Sequence, residues 1–317
     1  MNWMHEKPFL SVAESVFKNV NGLHDSRCRL KDNLYWQAML KNTPVRVPKL
    51  CEKETWIRGG YFFNFSTPVP TSEEMSLWCD PKNPTPVLIP GVTEPVTPEA
   101  EKIGFGSIPA FVETAYEIVG DLEGTLKSRL GGKDARELLR LRRRVQEEYI
   151  LESLNTNQLL QQTDLFSEVV RLLLLNSEKH GAKTALYQES SLKQLLESSI
   201  SDSIRIFLRR NRQGIAVQAL FCYDDRTNKE LFYATQGIDH EKVEPKHNLY
   251  TTAYLDLFEL AEREGYKRVW LGRGKEKDKL RIGANYARNL YYWIWAPNAQ
   301  EEILKLQRYF EEPSKSS

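Results

Sequence analysis

The sequence has little cysteine, no long hydrophobic run and no marked excess of charge of either sign. Its four cysteines, Cys28, Cys51, Cys79 and Cys222, lie far apart and form no C-x-x-C pair. This spacing argues against a zinc knuckle or a disulfide framework, and we expect no bound metal. The longest aliphatic run, residues 169–175, contains an arginine and is too short to cross a bilayer.

The first residues also lack the charged head and following apolar segment of a signal peptide. The formal net charge of +1 argues against a global attraction to nucleic acid or to a membrane surface. Partners must therefore be recognised by local patches. We expect a cytoplasmic protein without a membrane span.

The composition supports a substantial core, because 41% of the 317 residues are hydrophobic and 11% are aromatic. A chain of this length fits two domains better than one. We predict a first domain over residues 1–119, a second over residues 120–312 and a disordered tail over residues 313–317. Six prolines between residues 81 and 98 indicate extended or turning chain in the first domain.

The second domain carries the clearest pattern of strands and helices. Runs rich in β-branched and aromatic residues predict its strands, and apolar residues at helical spacing before Gly265 predict a helix with one buried face. The predicted order is strand 204–209, strand 214–223, strand 230–236, helix 248–264, strand 268–272, charged loop 273–279 and strand 290–296. Upstream, the sequence predicts strand 111–119 and helices 133–154, 163–180 and 191–198.

This order resembles the C-terminal half of acyltransferase-like proteins of the GNAT superfamily. The similarity is to the branch found beside cellulose and peptidoglycan biosynthesis genes, whose nearest relatives are the Fem aminoacyl transferases. It covers about residues 111–296 and rests on the helix that Gly265 ends, on Gly272, and on Lys279 with Gly283. An arginine-rich helix before the second half is a further point of similarity.

The resemblance implies an α/β (α+β) GNAT fold in tandem, whose first copy is degenerate or is replaced by a lid over the substrate. It implies an N-acyltransferase, in which a primary amine attacks the carbonyl of an acyl thioester of coenzyme A or of an acyl carrier protein. The amine would be a lysine- or ornithine-type side chain of a peptide. Two alternatives stay open: a Fem-like transferase that uses aminoacyl-tRNA, and a catalytically inactive binding module. The neutral net charge and the lack of a long coiled-coil arm weigh against the Fem-like alternative.

The catalytic candidates are His247, Asp239 and Tyr233. His247 and Asp239 flank the end of the hairpin that faces the thioester in this fold class, and histidine titrates nearest to neutral pH. Tyr233 could give a proton to the departing thiolate. The competing interpretations are a loop histidine without a catalytic role and a tyrosine of the core.

The candidates for binding the thioester carrier are Lys246, Asn248, Arg273 and Lys279. The helix that begins near Asn248 presents backbone N–H groups that suit a pyrophosphate, and Lys246 lies beside it in the sequence. The glycine-rich segment expected there from the resemblance is replaced by Glu-Pro-Lys-His, which leaves room for a protein-tethered thioester. The loop from Arg273 to Lys279 combines glycines with cations, which suits phosphate or carboxylate, or it is a solvated surface loop.

The arginine-rich helix is a candidate interaction surface over residues 136–144. Its cations would suit an acidic helix of a carrier protein, a tRNA backbone or a leader peptide. Alternatively, Glu137, Glu147 and Glu148 neutralise them through pairs on the helix surface.

Overall fold

A computed structural model of the chain describes residues 3–4, 47–48, 56–57, 69–72, 75–76, 79, 87–179, 189–197, 201–273, 276–295, 301 and 304. The strands within these residues are β1 Trp3–Met4, β2 Val47–Pro48, β3 Trp56–Ile57, β4 Val87–Val92, β5 Phe105–Glu117, β6 Tyr149–Leu154, β7 Ile204–Asn211, β8 Ala216–Asp225, β9 Glu230–Ile238, β10 Arg268–Arg273 and β11 Tyr286–Trp295. The α-helices are α1 Pro98–Ile103, α2 Leu122–Glu148, α3 Thr156–Leu160, α4 Thr163–Lys179, α5 Glu189–Leu196, α6 Leu249–Arg263 and α7 Glu276–Arg281.

Contacts divide the chain into two compact units. Unit 1 comprises residues 1–112 and 288–317, and unit 2 comprises residues 113–287. The division predicted from sequence, at residues 119 and 120, stays a prediction. The predicted tail over residues 313–317 lies outside the described residues.

Unit 1 contains a core of aromatic and aliphatic side chains around β4 and β11. These two strands pair antiparallel, and β3 pairs parallel with β4. Trp293 and Trp295 are buried together with Phe105. Their indole N–H groups donate to the carbonyl oxygens of Glu94 and Ile103, at 2.8 and 3.0 Å, so that burying them leaves no unpaired donor.

Unit 2 is built on a mixed sheet with the strand order β5–β10–β9–β8–β7–β6. Every neighbouring pair is antiparallel except β9 with β10, which is parallel. Helices α2 and α6 pack on one face, where Tyr116 of β5 stacks on Phe258 of α6 with ring centroids 4.0 Å apart. A parallel pair needs a crossover connection, and α6 provides it between β9 and β10.

Two predicted elements of unit 2 were wrong. The helix predicted over residues 133–154 ends at Glu148, and Tyr149–Leu154 is a strand that pairs with β7 over six residues. Tyr149 has extended backbone angles, φ −135° and ψ 145°, and Arg212 donates to the carbonyl oxygen of Glu147 in the last turn, with its Nη2 at 2.7 Å. The loop predicted over residues 273–279 contains the helix Glu276–Arg281, whose first turn is acidic and whose last turn is basic.

Candidate functional site

Two adjacent strands of unit 2 each carry an extra residue at the same level. In β9 the extra residue is Ala234, which lies between two residues that pair with consecutive residues of β8. In β10 it is Leu271, which lies between two residues that pair with consecutive residues of β5. Such bulges bend a strand and increase its twist. The neighbouring strands β9 and β10 are therefore bent at about the same level of the sheet.

The parallel ladder between β9 and β10 ends at these bulges. Among the described residues it covers three pairs, and the last is Phe232 with Trp270. Beyond it, β9 continues to Ile238 and β10 to Arg273. Gly272 follows the bulge of β10 with φ 72°, a left-handed conformation that glycine adopts readily. We call this region, residues 233–238 of β9 and 271–273 of β10, the splay, because no pairing between the two strands is found there among the described residues.

Two predicted site residues lie at the splay. Tyr233 is the first residue of β9 beyond the ladder, and its ring packs 4.9 Å from that of Tyr254. Lys279 is buried, and its Nζ donates to the carbonyl oxygen of Gly272 at 2.8 Å. The same carbonyl oxygen accepts from the hydroxyl of Thr114 on β5 at 3.3 Å, so Lys279 of α7 contacts β10 just beyond the ladder, on the side of β10 that faces β5.

His247 and Asp239 lie on the segment that joins β9 to α6, and both are buried. The hydroxyl of Tyr149 is 3.0 Å from Nδ1 of His247, and the two rings meet edge to face. Asp239 accepts from Arg171 of α4 at 2.7 Å and pairs with Lys242 at 3.3 Å. Burial opposes ionisation of Asp239, but these two cations outweigh it and lower the pKa of the carboxyl. A carboxylate held in this way is a weak proton acceptor, so the geometry favours an anchoring role for Asp239.

The remaining candidates for carrier binding are placed separately. Lys246 is exposed and pairs with Glu244 at 2.5 Å. Asn248 is exposed, and its side chain accepts from the backbone N–H of Thr251 at 3.3 Å. Arg273 ends β10, and its side chain lies outside the described residues. The predicted roles of these residues stay predictions.

The start of α6 differs from an open phosphate cradle. Asn248 has φ 40° and caps the first turn with its own side chain, while its carbonyl oxygen accepts from Thr252. Leu249, Thr251 and Thr252 are buried. Because a pyrophosphate needs several unpaired N–H groups exposed at the helix start, this cap weakens the prediction that coenzyme A is bound there.

A buried charged cluster lies beneath α6, and sequence patterns did not single it out. Arg209 of β7 donates to Thr252 at 3.0 Å and is paired with Asp256, and Arg142 of α2 donates to the other oxygen of Asp256 at 2.7 Å. Glu259 accepts from Arg142 at 2.8 Å. Burial lowers the pKa of Arg209, and the nearby cation of Arg142 acts in the same direction. The cluster fixes α2, β7 and α6 together below the segment that carries His247.

A second pair of residues missed by sequence analysis consists of Gln218 of β8 and Gln236 of β9. Their buried amides contact each other at 2.6 Å beside the start of α6. The sequence did contain a signal for this pair, because Gln218 interrupts an apolar strand, and a buried glutamine must find hydrogen-bond partners.

The arginine-rich helix carries an exposed cationic stripe. Arg136, Arg140, Arg143 and Arg144 recur at helical spacing on α2 and are exposed or half-buried. None of them forms an ion pair within the part of the chain that the structure describes. Glu148, one of the predicted neutralising partners, instead pairs with Arg212 at 3.7 Å. We call these four residues the arginine stripe.

A separate polar cleft of about 860 Å³ lies at the other end of the sheet, near the C-terminal end of α6. Two arginines that line it are paired: Arg205 makes two hydrogen bonds to Glu264, and Arg226 pairs with buried Asp224 at 3.1 Å, whereas Lys229, which also lines it, is exposed. Burial and the Asp224 carboxylate raise the pKa of Tyr266, which lines the cleft, to about 12. Both arginines of this cleft are therefore paired with carboxylates of unit 2.

Neither a metal site nor a membrane span is found within the ranges given above. Those residues contain no group of three or more histidines, cysteines, aspartates or glutamates that could hold a metal ion. No described helix has both the length and the apolar character needed to cross a membrane.

Comparisons with known proteins connect this geometry to solved structures. No protein-family profile matches the chain, and no curated protein matches it in sequence. The C-terminal domain of a provisionally assigned lysylphosphatidylglycerol synthetase from Agrobacterium fabrum superimposes with a TM-score of 0.59 at 9% identity, over 95% of this chain and 96% of that one. L-PGS from Bacillus licheniformis superimposes with a TM-score of 0.57 at 14% identity, over 84% of this chain and 85% of that one. FemX superimposes with a TM-score of 0.53 at 12% identity, over 96% of this chain and 99% of that one.

At these identities the likenesses establish the fold. The predicted α/β (α+β) fold of the GNAT type is confirmed, with a mixed sheet, a parallel central pair and a helix crossing between the two strands of that pair.

Proposed function

We propose that this protein is a transferase that moves an aminoacyl group from an ester donor, an aminoacyl-tRNA, to a primary amine at the splay. The nitrogen of the amine attacks the acyl carbonyl to form an amide, the ester C–O bond breaks, and the tRNA leaves with a free ribose hydroxyl that carries the proton lost by the amine. The likenesses to FemX and to lysylphosphatidylglycerol synthetase domains support the reaction class by analogy of fold. A lysine- or ornithine-type side chain of a peptide remains the proposed acceptor.

The observation that carries the choice of donor is the arginine stripe. Arginines that have no carboxylate partner among the described residues suit a phosphate backbone, because each neutralised phosphate releases counterions. The capped start of α6 supports the same choice, since an aminoacyl ester can enter the splay without a pyrophosphate at that helix. This preference reverses the order of donors expected from the sequence.

The second candidate donor is an acyl thioester on an acyl carrier protein. The arginine stripe favours it too, because cations on one helix can contact an acidic helix of a carrier. Coenzyme A lacks that support.

The test is a direct comparison of donors. Charged tRNA with labelled amino acids, a labelled acyl carrier protein and labelled acyl-coenzyme A are each incubated with the protein and a panel of lysine- and ornithine-containing peptides. The proposal requires label on a peptide amine from charged tRNA. Transfer from the carrier protein alone would select the second candidate, and no transfer from any donor would contradict an enzymatic role.

Charge reversal on the arginine stripe is expected to weaken tRNA binding without unfolding the protein. For the triple variant Arg136→Glu, Arg140→Glu and Arg143→Glu, the slope of log affinity against log salt should fall by about three, one for each lost phosphate contact. Filter binding between about 50 and 200 mM salt would measure it.

The matched control reverses three exposed lysines elsewhere, Lys102, Lys193 and Lys229, and so changes the net charge equally. Equal losses in the two triple variants would show that net charge, and not the arginine stripe, governs binding.

Replacing Lys279 by methionine is expected to lower the rate of transfer by about 10²-fold, the usual effect of removing one group that stabilises a developing oxyanion. Methionine keeps the apolar stem but loses the ammonium that donates to the carbonyl oxygen of Gly272. Single-turnover kinetics would measure the rate, with thermal unfolding recorded in parallel. The control is Lys277→Met on the exposed side of the same helix, and matching rates for the two variants would remove Lys279 from the site.

A further inference from the structure

The amides of Gln218 and Gln236 form a short hydrogen-bonded chain inside unit 2. Gln218 is 0% exposed and Gln236 is 3% exposed. Nε2 of Gln218 donates to Oε1 of Gln236 at 2.6 Å and to the backbone carbonyl oxygen of Leu249 at 3.1 Å. The chain therefore links β8, β9 and the first residue of α6.

The Leu249 carbonyl fixes the orientation of both amides. A carbonyl oxygen only accepts, so Gln218 must present its NH₂ group to it and, with the second hydrogen, to Gln236. Gln236 must then present its oxygen to Gln218, which leaves its own NH₂ group pointing away. Reversing either amide would place two donors or two acceptors face to face.

The NH₂ group of Gln236 has no hydrogen-bond partner among the described residues, and neither does the remaining oxygen of Gln218. Interiors of native proteins leave few buried polar groups unpaired, and each such group calls for an acceptor or donor supplied from elsewhere. What Gln236 lacks is an oxygen acceptor.

The position of Gln236 indicates which acceptor. Gln236 belongs to the part of β9 beyond the ladder with β10, and so to the splay. Alternation along the strand puts it on the face opposite to Gly237, which approaches α4, and on the face that the start of α6 covers.

We propose that the side-chain NH₂ of Gln236 donates a hydrogen bond to the acyl carbonyl oxygen of the donor, and to the oxyanion that this oxygen becomes when the amine attacks. Gln218 acts as a positioning residue, since its hydrogen bonds to Gln236 and to Leu249 fix the orientation of the Gln236 NH₂ group. This assignment rests on the proposed function and identifies the side-chain group in the splay that hydrogen-bonds to the reacting carbonyl. Preorganised donors of this kind stabilise the charge that develops during acyl transfer.

The test uses two substitutions of Gln236. Gln236→Glu keeps an oxygen toward Gln218 but replaces the NH₂ group by a second oxygen, so transfer at about pH 8 should fall by about 10²-fold. Burial raises the pKa of such a carboxyl, and its protonated form can donate again. The Gln236→Glu variant should therefore recover relative to wild type as the pH falls from about 8 to about 6, whereas Gln236→Met should stay low throughout.

The control is Gln213→Glu in the exposed turn between β7 and β8, which should match wild type at every pH. If wild type transfers label but Gln236→Met matches Gln213→Glu, the assignment of Gln236 is overturned and the proposed function stands. The same holds if Gln236→Glu loses activity without recovery at low pH, since a merely structural role predicts no such recovery. Wild type that transfers from no donor would overturn both.

Discussion

Gly237→Ala is expected to lower the free energy of unfolding by roughly 3 kcal/mol, at the upper end of overpacking effects. A Cβ atom at this position would overlap the carbonyl carbon and oxygen of Leu172 and lie 2.7 Å from the backbone N of Leu173. These are backbone atoms of α4, so they cannot rotate away as a side chain would. Either the helix or the end of β9 must move, and since Gly237 lies in the splay, transfer should fall even in the molecules that stay folded.

The matched control is Gly132→Ala, next to the kink that Gly131 makes in helix α2, where an added Cβ meets nothing within 4 Å. That substitution should be neutral or stabilise the protein by about 0.5–1 kcal/mol. Urea unfolding of the two variants and wild type would measure the difference. Equal stability of Gly237→Ala and wild type would show that α4 does not approach β9 as closely as the structure indicates.

Asp256→Ala is expected to lower the free energy of unfolding by about 3–5 kcal/mol. The substitution leaves Arg209, which is 1% exposed, buried without its carboxylate partner, and it removes one of the two acceptors of Arg142. The cost comes from a buried charge that has lost its carboxylate, since among the described residues only Thr252 would remain as a hydrogen-bond acceptor for Arg209. Denaturant unfolding followed by circular dichroism would measure it.

Glu259→Ala is the control for Asp256→Ala. Its carboxylate contacts the same Arg142, but its side chain is 46% exposed, so the loss should be about 1 kcal/mol or less. If the two substitutions cost the same, the charged cluster is not the buried connection between α2, β7 and α6 that its contacts indicate.

Much of unit 2 could be predicted from sequence because its strands and helices have strong periodic patterns. The helix that begins after Asn248 and the strand that Gly265 precedes were found within a few residues of their bounds. Tyr149–Leu154 was assigned to the wrong element because the helical spacing of the preceding turns continues into it. Only its pairing with β7, far along the chain, makes it a strand.

The splay could not be predicted from sequence. It depends on two bulges at one level, Ala234 in β9 and Leu271 in β10, and a bulge shows only when the partner strand is known. The glycine at 272 gave a partial signal, because it fits a left-handed backbone. A site role for Lys279 was predicted through resemblance and stays a prediction, and the short helix that carries it was expected to be loop.

Long-range polar contacts were the other part that sequence could not give. Arg209 looked like one of several basic residues alternating along a strand, and nothing nearby in sequence indicated that Asp256 neutralises it. His247 and Asp239 were predicted as catalytic from their place in the chain. The structure adds their contacts: His247 contacts Tyr149, and Asp239 pairs with Arg171 and Lys242.

The most direct test of the account is hydrogen–deuterium exchange with a stable donor analogue, an adenosine whose 3′ position carries an amino acid in amide linkage. The account predicts slower exchange in peptides covering residues 233–240 and 248–252, where β9 leaves β10 and α6 begins. Protection confined to the polar cleft around Arg205 and Tyr266, or protection nowhere at saturating analogue, would contradict the claim that the splay holds the activated acyl group.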